Sequence, residues 1–294
     1  LSTSSSSRGL DLDARSVMTA PPPYDAFSKP FMPTIHLQIE TPGTPLFSLP
    51  LPPKPDPIPV FTIPPTISAS GSTLAPTYLS LRPTRSSGSC FLISPSATAS
   101  PETELSPLST TTYRFGPSRP PLTSLYLPSA HPPTTNPFLP ATSSEEQGTD
   151  LSLTPYDSFH LTSPSLLSRT VEFRSRFGTF QWRYASRSER QSLSPVPNSL
   201  LLLEKVTRIA QAHRSKHQEV RTLIARFIRS EECRTEGSTA SSAGNGGRVE
   251  VDLGEWEDEK TEREMVVVMV VTTALAMLKK EVDRRRAQQF MVMA

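Results

Sequence analysis

MVVVMVVTTALAML, residues 265–278, is a run of fourteen residues without a charge near the end of a polar, proline-rich chain. Its environment decides the fold. At 1.5 Å per residue a helix of fourteen covers about 21 Å, against a hydrocarbon core of about 30 Å. Glu264 stops the run on one side, and Lys279, Lys280, Glu281 and Asp283 follow closely on the other. A tail anchor of that length is short, and runs of this size more often form buried core. The run is apolar on all sides rather than along one stripe, so it needs enclosure rather than one covering face. The acidic first turn of TEREMVVV and the basic KKEVDRRRA at the far end suit the helix dipole. The expectation is a helix over 263–288 inside a closed or nearly closed sheet.

Working outward, the chain of 294 residues is uneven. Thirty of its 32 prolines lie at or before Pro164. Proline removes a backbone donor and fixes φ, which argues against long helices and central strands in that half. Residues 1–73 read as a disordered Pro/Ser/Thr-rich tail, too poor in apolar surface to offset the entropy of ordering. Residues 74–290 read as one β-rich (α+β) domain, with 128–150 as a solvated insertion.

Within that domain TYLSLR (77–82), CFLIS (90–94) and TTTYRF (110–115) are short strand candidates. SRTVEFRSRFGTFQWRYAS (168–186) reads as a hairpin turning at Phe177-Gly178. Phe173 then faces Trp182 and Val171 faces Tyr184, with Glu172 against Arg183 and Arg174 against Gln181 on the outer face. SLLLLEKV (199–206) is a buried strand. Residues 208–230 fit a helix or a strand. RVEVDL (248–253) alternates cleanly.

Short strands plus one enclosed helix imply a barrel threaded by that helix. With GTFQWRYASR, SSAGNGGR and the terminal helix followed by KKEVDRRRA, the layout over roughly 75–290 resembles the tubby C-terminal-like superfamily, and uncharacterised proteins of filamentous fungi within it. The resemblance implies an antiparallel β-barrel around a central hydrophobic helix and, from several members, a membrane-peripheral, phosphoinositide- or lipid-related role. It carries over no ligand-binding residue.

Charge is uneven as well. Residues 1–165 hold 8 basic and 11 acidic side chains, 166–234 hold 14 and 6, and 250–264 hold 2 and 8. The net charge of +2 is far from a nucleic-acid-binding composition. The basic side chains Arg174, Arg176, Arg183, Arg187 and Arg190 gather on the outer face and exit of the hairpin. They are the candidate site for an anionic lipid headgroup or an acidic protein, against the plainer reading of a solvated strand face. PPPY (21–24) matches a WW-domain ligand, with Pro21 and Pro22 in polyproline II and Tyr24 filling a pocket. His213 and His217 are four apart, but no third ligand accompanies them and Arg214 and Lys216 repel a cation, so no metal site is expected. GNGG (244–247) lacks the Lys-Ser/Thr and the strand-to-helix frame of a phosphate loop. No catalytic motif is present, and no cofactor is expected. Cys90 and Cys233 have no paired spacing, which fits a reducing compartment. With no apolar leader at the N-terminus, the expectation is an intracellular, non-enzymatic binding module. The alternatives are an adaptor acting through PPPY and a tail-anchored membrane protein.

Overall fold

The computed structural model describes residues 30–46, 56–64, 75–84, 87–95, 107–114, 119–127, 154–165, 168–209 and 218–293. PPPY, the 128–150 insertion and the His213/His217 pair lie outside the described residues. Contacts divide the chain into residues 1–30 and 31–294, and every element below belongs to the second unit.

Twelve strands form a single antiparallel sheet: β1 Ile35–Ile39, β2 Ile58–Ile63, β3 Tyr78–Leu81, β4 Ser89–Ile93, β5 Pro107–Thr112, β6 Leu122–Leu125, β7 Asp157–His160, β8 Val171–Ser175, β9 Gly178–Tyr184, β10 Ser199–Ile209, β11 Gln218–Arg229 and β12 Gly247–Val251. A short helix α1, Arg187–Gln191, follows β9, and the long helix α2 spans Lys260–Met293. The strand order is β7-β6-β5-β4-β3-β2-β1-β12-β11-β10-β9-β8. The two edge strands then meet. Thr162, just past β7, exchanges backbone hydrogen bonds of 2.8 and 2.7 Å with Glu172 of β8, so the sheet curls into a nearly closed barrel.

The apolar run lies in the core. Of residues 265–278, every one but Leu275 is buried. The helix is held from two sides. Trp182 Nε1 on β9 donates to Thr273 Oγ1 at 3.0 Å, and Ser109 on β5 shares a 2.6 Å hydrogen bond with Thr272. The two threonines, the only polar residues of the run, are thus satisfied inside the barrel, as buried hydroxyls require. Among the described residues no helix is long and apolar enough to cross a membrane.

Two expectations need correction. β1 and β2 lie within residues 1–73, expected as an unstructured tail. IHLQI and IPVFTI carry strand-forming residues, and β1 is locked between β2 and β12, so tertiary pairing overrides the proline content. Pro59 sits beyond the last paired rung of the β1–β2 ladder, where its carbonyl still accepts from Glu40 N at 3.0 Å. The β8–β9 hairpin forms, but it turns at Arg176-Phe177. Val171 pairs with Trp182, Glu172 with Gln181 and Phe173 with Phe180. The partner is displaced by two residues, so both faces keep their residues while each cross-strand pair changes. Gly178, at φ +134°, opens β9 rather than completing the turn.

The ambiguous 208–230 stretch supplies β11. Leu203 pairs with Ala225 and Glu204 with Leu223, which leaves Ile224 as an extra residue in a bulge. The bulge buries Ile224 and Ala225 side by side and breaks the clean alternation.

The barrel interior is asymmetric. On the β8–β11 side it is filled by Phe173, Phe180, Trp182 and Phe227. On the β3–β6 side the inward positions are Ser80, Ser109, Thr111 and Thr123 together with Leu92 and Leu125, with no aromatic ring among them.

Candidate functional site

The five arginines singled out from the sequence do not converge. Arg174 is exposed on β8. Arg176, in the hairpin turn, lies over the Tyr156 ring with its guanidinium carbon 3.9 Å from the centre. Arg183 is neutralised. Its Nη2 reaches Glu189 at 2.6 Å and Glu204 at 2.5 Å, and these bonds outweigh burial to raise its pKa. The same pair, acting first through the hydrogen bond from Arg183, holds the Glu189 carboxyl down to about 2. Arg187 and Arg190 lie in α1, whose N-terminus is closed by a capping box of Ser186 and Glu189. The seven residues of β9 separate the turn from α1 by roughly 23 Å.

Arg190 points to what the sequence missed. Its Nη1 donates to Asn198 O at 3.0 Å, and Asn198 borders a cleft of about 250 Å³ where the second half of α2 leaves the barrel. Among the described residues five guanidinium groups line this cleft, those of Arg169, Arg229, Arg234, Arg284 and Arg285, against a single carboxylate, Glu281. The formal balance is +5 and −1, so +4.

The elements that build it come from distant parts of the chain. Glu281, Arg284, Arg285 and Gln288 fall at i, i+3, i+4 and i+7, one face of α2. Arg229 ends β11, and Arg169 precedes β8. The 240–245 loop forms the remaining wall. Gly244 seats that loop on α2. At φ +69° it occupies the left-handed region, and a Cβ there would lie 2.5 Å from Val282 Cγ2 and 2.8 Å from Leu278 O. GNGG is therefore a close-packing device.

Glu281 is the hub. It accepts from Arg229 Nη2 at 2.6 Å, Arg229 Nη1 at 2.7 Å, Gly244 N at 3.0 Å and the Tyr184 hydroxyl. Burial pushes its carboxyl up, but the Arg229 bonds, with those from Tyr184 and Gly244, outweigh it and hold the group below the usual carboxylate range. Tyr184 is raised well above its ordinary value by burial and by Glu281. Arg229 also donates to Asn245 Oδ1 at 3.0 Å, so its charge is spoken for.

The other four are not so matched. Arg284 Nη2 donates to Ser168 O at 3.2 Å, Arg285 Nη2 to Ser241 O at 3.0 Å and Arg234 Nε to Ser230 O at 3.2 Å. Arg169 lies over the Tyr184 ring at 5.6 Å. Among the described residues no carboxylate ion-pairs with any of these four, and Arg285 Nη1 is buried without a hydrogen-bond partner. Lys280, on the next face of α2, is lowered to about 8, first by burial and then by Arg284.

The donors of such an arrangement match the chemistry of an anion with several oxygen acceptors, because planar guanidinium groups pair with phosphate oxygens two at a time. Among the described residues no cluster of three or more His, Cys, Asp or Glu side chains is placed to hold a metal ion. Comparison of the chain with protein-family models, curated proteins and solved structures finds no match.

Proposed function

We propose that this protein is a non-enzymatic, intracellular binding module that docks on a membrane surface by taking an anionic phospholipid headgroup into the cleft at the α2 exit. The observation that carries the reading is four guanidinium groups, Arg169, Arg234, Arg284 and Arg285, converging on one concavity without an ion-paired carboxylate. A phosphomonoester headgroup supplies the charge and the bidentate acceptors this cluster lacks. A nearly closed barrel around a hydrophobic helix also supports a tubby-like reading of the fold. In this proposal Arg174, Arg176 and Arg187 add long-range attraction from neighbouring surface, while Arg190 helps form the cleft border through Asn198.

Co-sedimentation with phosphatidylcholine vesicles, with and without added phosphoinositide, tests the proposal. The R284E/R285E pair is expected to lose the phosphoinositide-dependent fraction. R174E/R176E is expected to reduce it only modestly. If the second pair abolishes binding and the first does not, the ligand sits on the strand face and the cleft reading falls. A soluble inositol phosphate that competes fully would show that the headgroup alone is recognised.

A further inference from the structure

We infer that the barrel has a second, separate ligand site: a cavity beside α2, open to solvent at one side, that takes an uncharged molecule with a long aliphatic chain. The cavity has a volume of about 520 Å³, within the range of small-molecule sites, about 300–1,000 Å³. It follows from the asymmetric interior. Where one side of the barrel holds Phe173, Phe180, Trp182 and Phe227, the other sets the small Ser80, Ser109 and Thr111 around Leu92, which leaves space between wall and helix. The helix shows the same thing. Leu275 is the one residue of 265–278 that is not buried, and it lines this cavity with Leu278, Val282 and Leu92.

The chemistry of the lining selects the ligand. Two hydroxyl pairs of the lining are closed, Ser109 with Thr272 at 2.6 Å and Thr111 with Thr123 at 3.2 Å, and Ile58, Leu81, Leu92, Leu275 and Leu278 supply its apolar part. Formal charge is confined to Arg82, Lys279, Glu40 and Asp56, two of each sign. That balance offers no net attraction to a charged head, while an aliphatic chain recovers the contacts the small wall residues forgo.

The cavity and the basic cleft use different faces of α2. Thr272, Leu275, Lys279 and Val282 serve the first, and Glu281, Arg284, Arg285 and Gln288 the second. Gly244 is packed against the helix between them. The inference therefore does not depend on the anion site.

Displacement of N-phenyl-1-naphthylamine, a neutral apolar fluorophore, from the purified full chain tests it. The probe is expected to saturate near one equivalent and to be displaced by 1-dodecanol at least tenfold more effectively than by dodecanoate. L275W fills the cavity from the helix side and is expected to weaken probe binding at least tenfold while phosphoinositide-vesicle binding is kept. V282F repeats the test should L275W fail to fold. Non-saturable probe binding, unchanged affinity in a folded filling variant, or stronger displacement by dodecanoate would each overturn the inference.

Discussion

Glu281→Gln separates stability from binding in one substitution. Arg229 and Glu281 are both largely withdrawn from water, with side chains 5% and 14% exposed. Removing one partner of a buried pair costs about 3–5 kcal/mol, because the other charge stays in place uncompensated. Glutamine keeps one oxygen, so the lower end, about 3 kcal/mol, is expected. Four donors now converge on the two carboxylate oxygens, two from Arg229, one from Tyr184 and one from Gly244. An amide presents an N–H₂ group to at least one of them. For a domain of this size each kcal/mol moves the melting temperature by about 2–4 °C, so a fall of about 6–12 °C is expected in a circular-dichroism melt. The same change removes the only carboxylate among the described residues of the cleft and raises its formal charge from +4 to +5. Phosphoinositide-vesicle binding of the folded variant should therefore strengthen. Replacing both partners with apolar residues, as in R229M/E281L, should recover part of the stability. A melting temperature within about 2 °C of the parent would refute the buried-pair reasoning, and weaker vesicle binding by the folded variant would refute the electrostatics of the cleft.

Gly244→Ala is expected to cost about 2 kcal/mol in urea unfolding, since the new methyl meets Val282 and the Leu278 carbonyl at a left-handed position. Acid should destabilise the fold through Glu189 and Glu281. Both have folded pKa values depressed below the ordinary 4.5, so their contribution is complete above that value and is lost as pH falls through the folded pKa, toward about 2 for Glu189. Melting temperatures measured between pH 5 and pH 2 should therefore fall, and less steeply in E189Q and E281Q than in the parent. From the sequence, Tyr24→Ala should abolish binding of a WW domain to PPPY without moving the melting temperature, as isothermal titration and a thermal melt would show.

The helix was legible in the sequence because its signal is local. Fourteen uncharged residues between Glu264 and Lys279 declare both their length and their need for enclosure. The hairpin was legible in its faces but not in its register. Alternation has a period of two, so pairing Phe173 with Phe180 or with Trp182 places the same residues inside. β1 and β2 were hidden by composition. Five residues of IHLQI carry little weight beside the surrounding prolines until β12 and β2 flank them. The basic cleft was hidden by distance. Arg169, Arg229 and Arg234 stand 50 or more residues from Arg284, and only closure of the barrel brings them together. One local sign was available: Glu281, Arg284, Arg285 and Gln288 share a helical face. The hairpin arginines drew attention because they are close in sequence, but Arg183 is absorbed by Glu189 and Glu204, and Glu204 lies on a different strand.

Hydrogen–deuterium exchange across Met265–Leu278, on the purified chain without lipid or detergent, tests the placement of the helix inside the barrel. Enclosure predicts that these amides are among the slowest in the molecule and open only with global unfolding, with Trp182→Phe accelerating them through loss of the bond to Thr273. Exchange of this segment within seconds while the strands stay protected would contradict the threaded barrel, and with it the position of both proposed ligand sites.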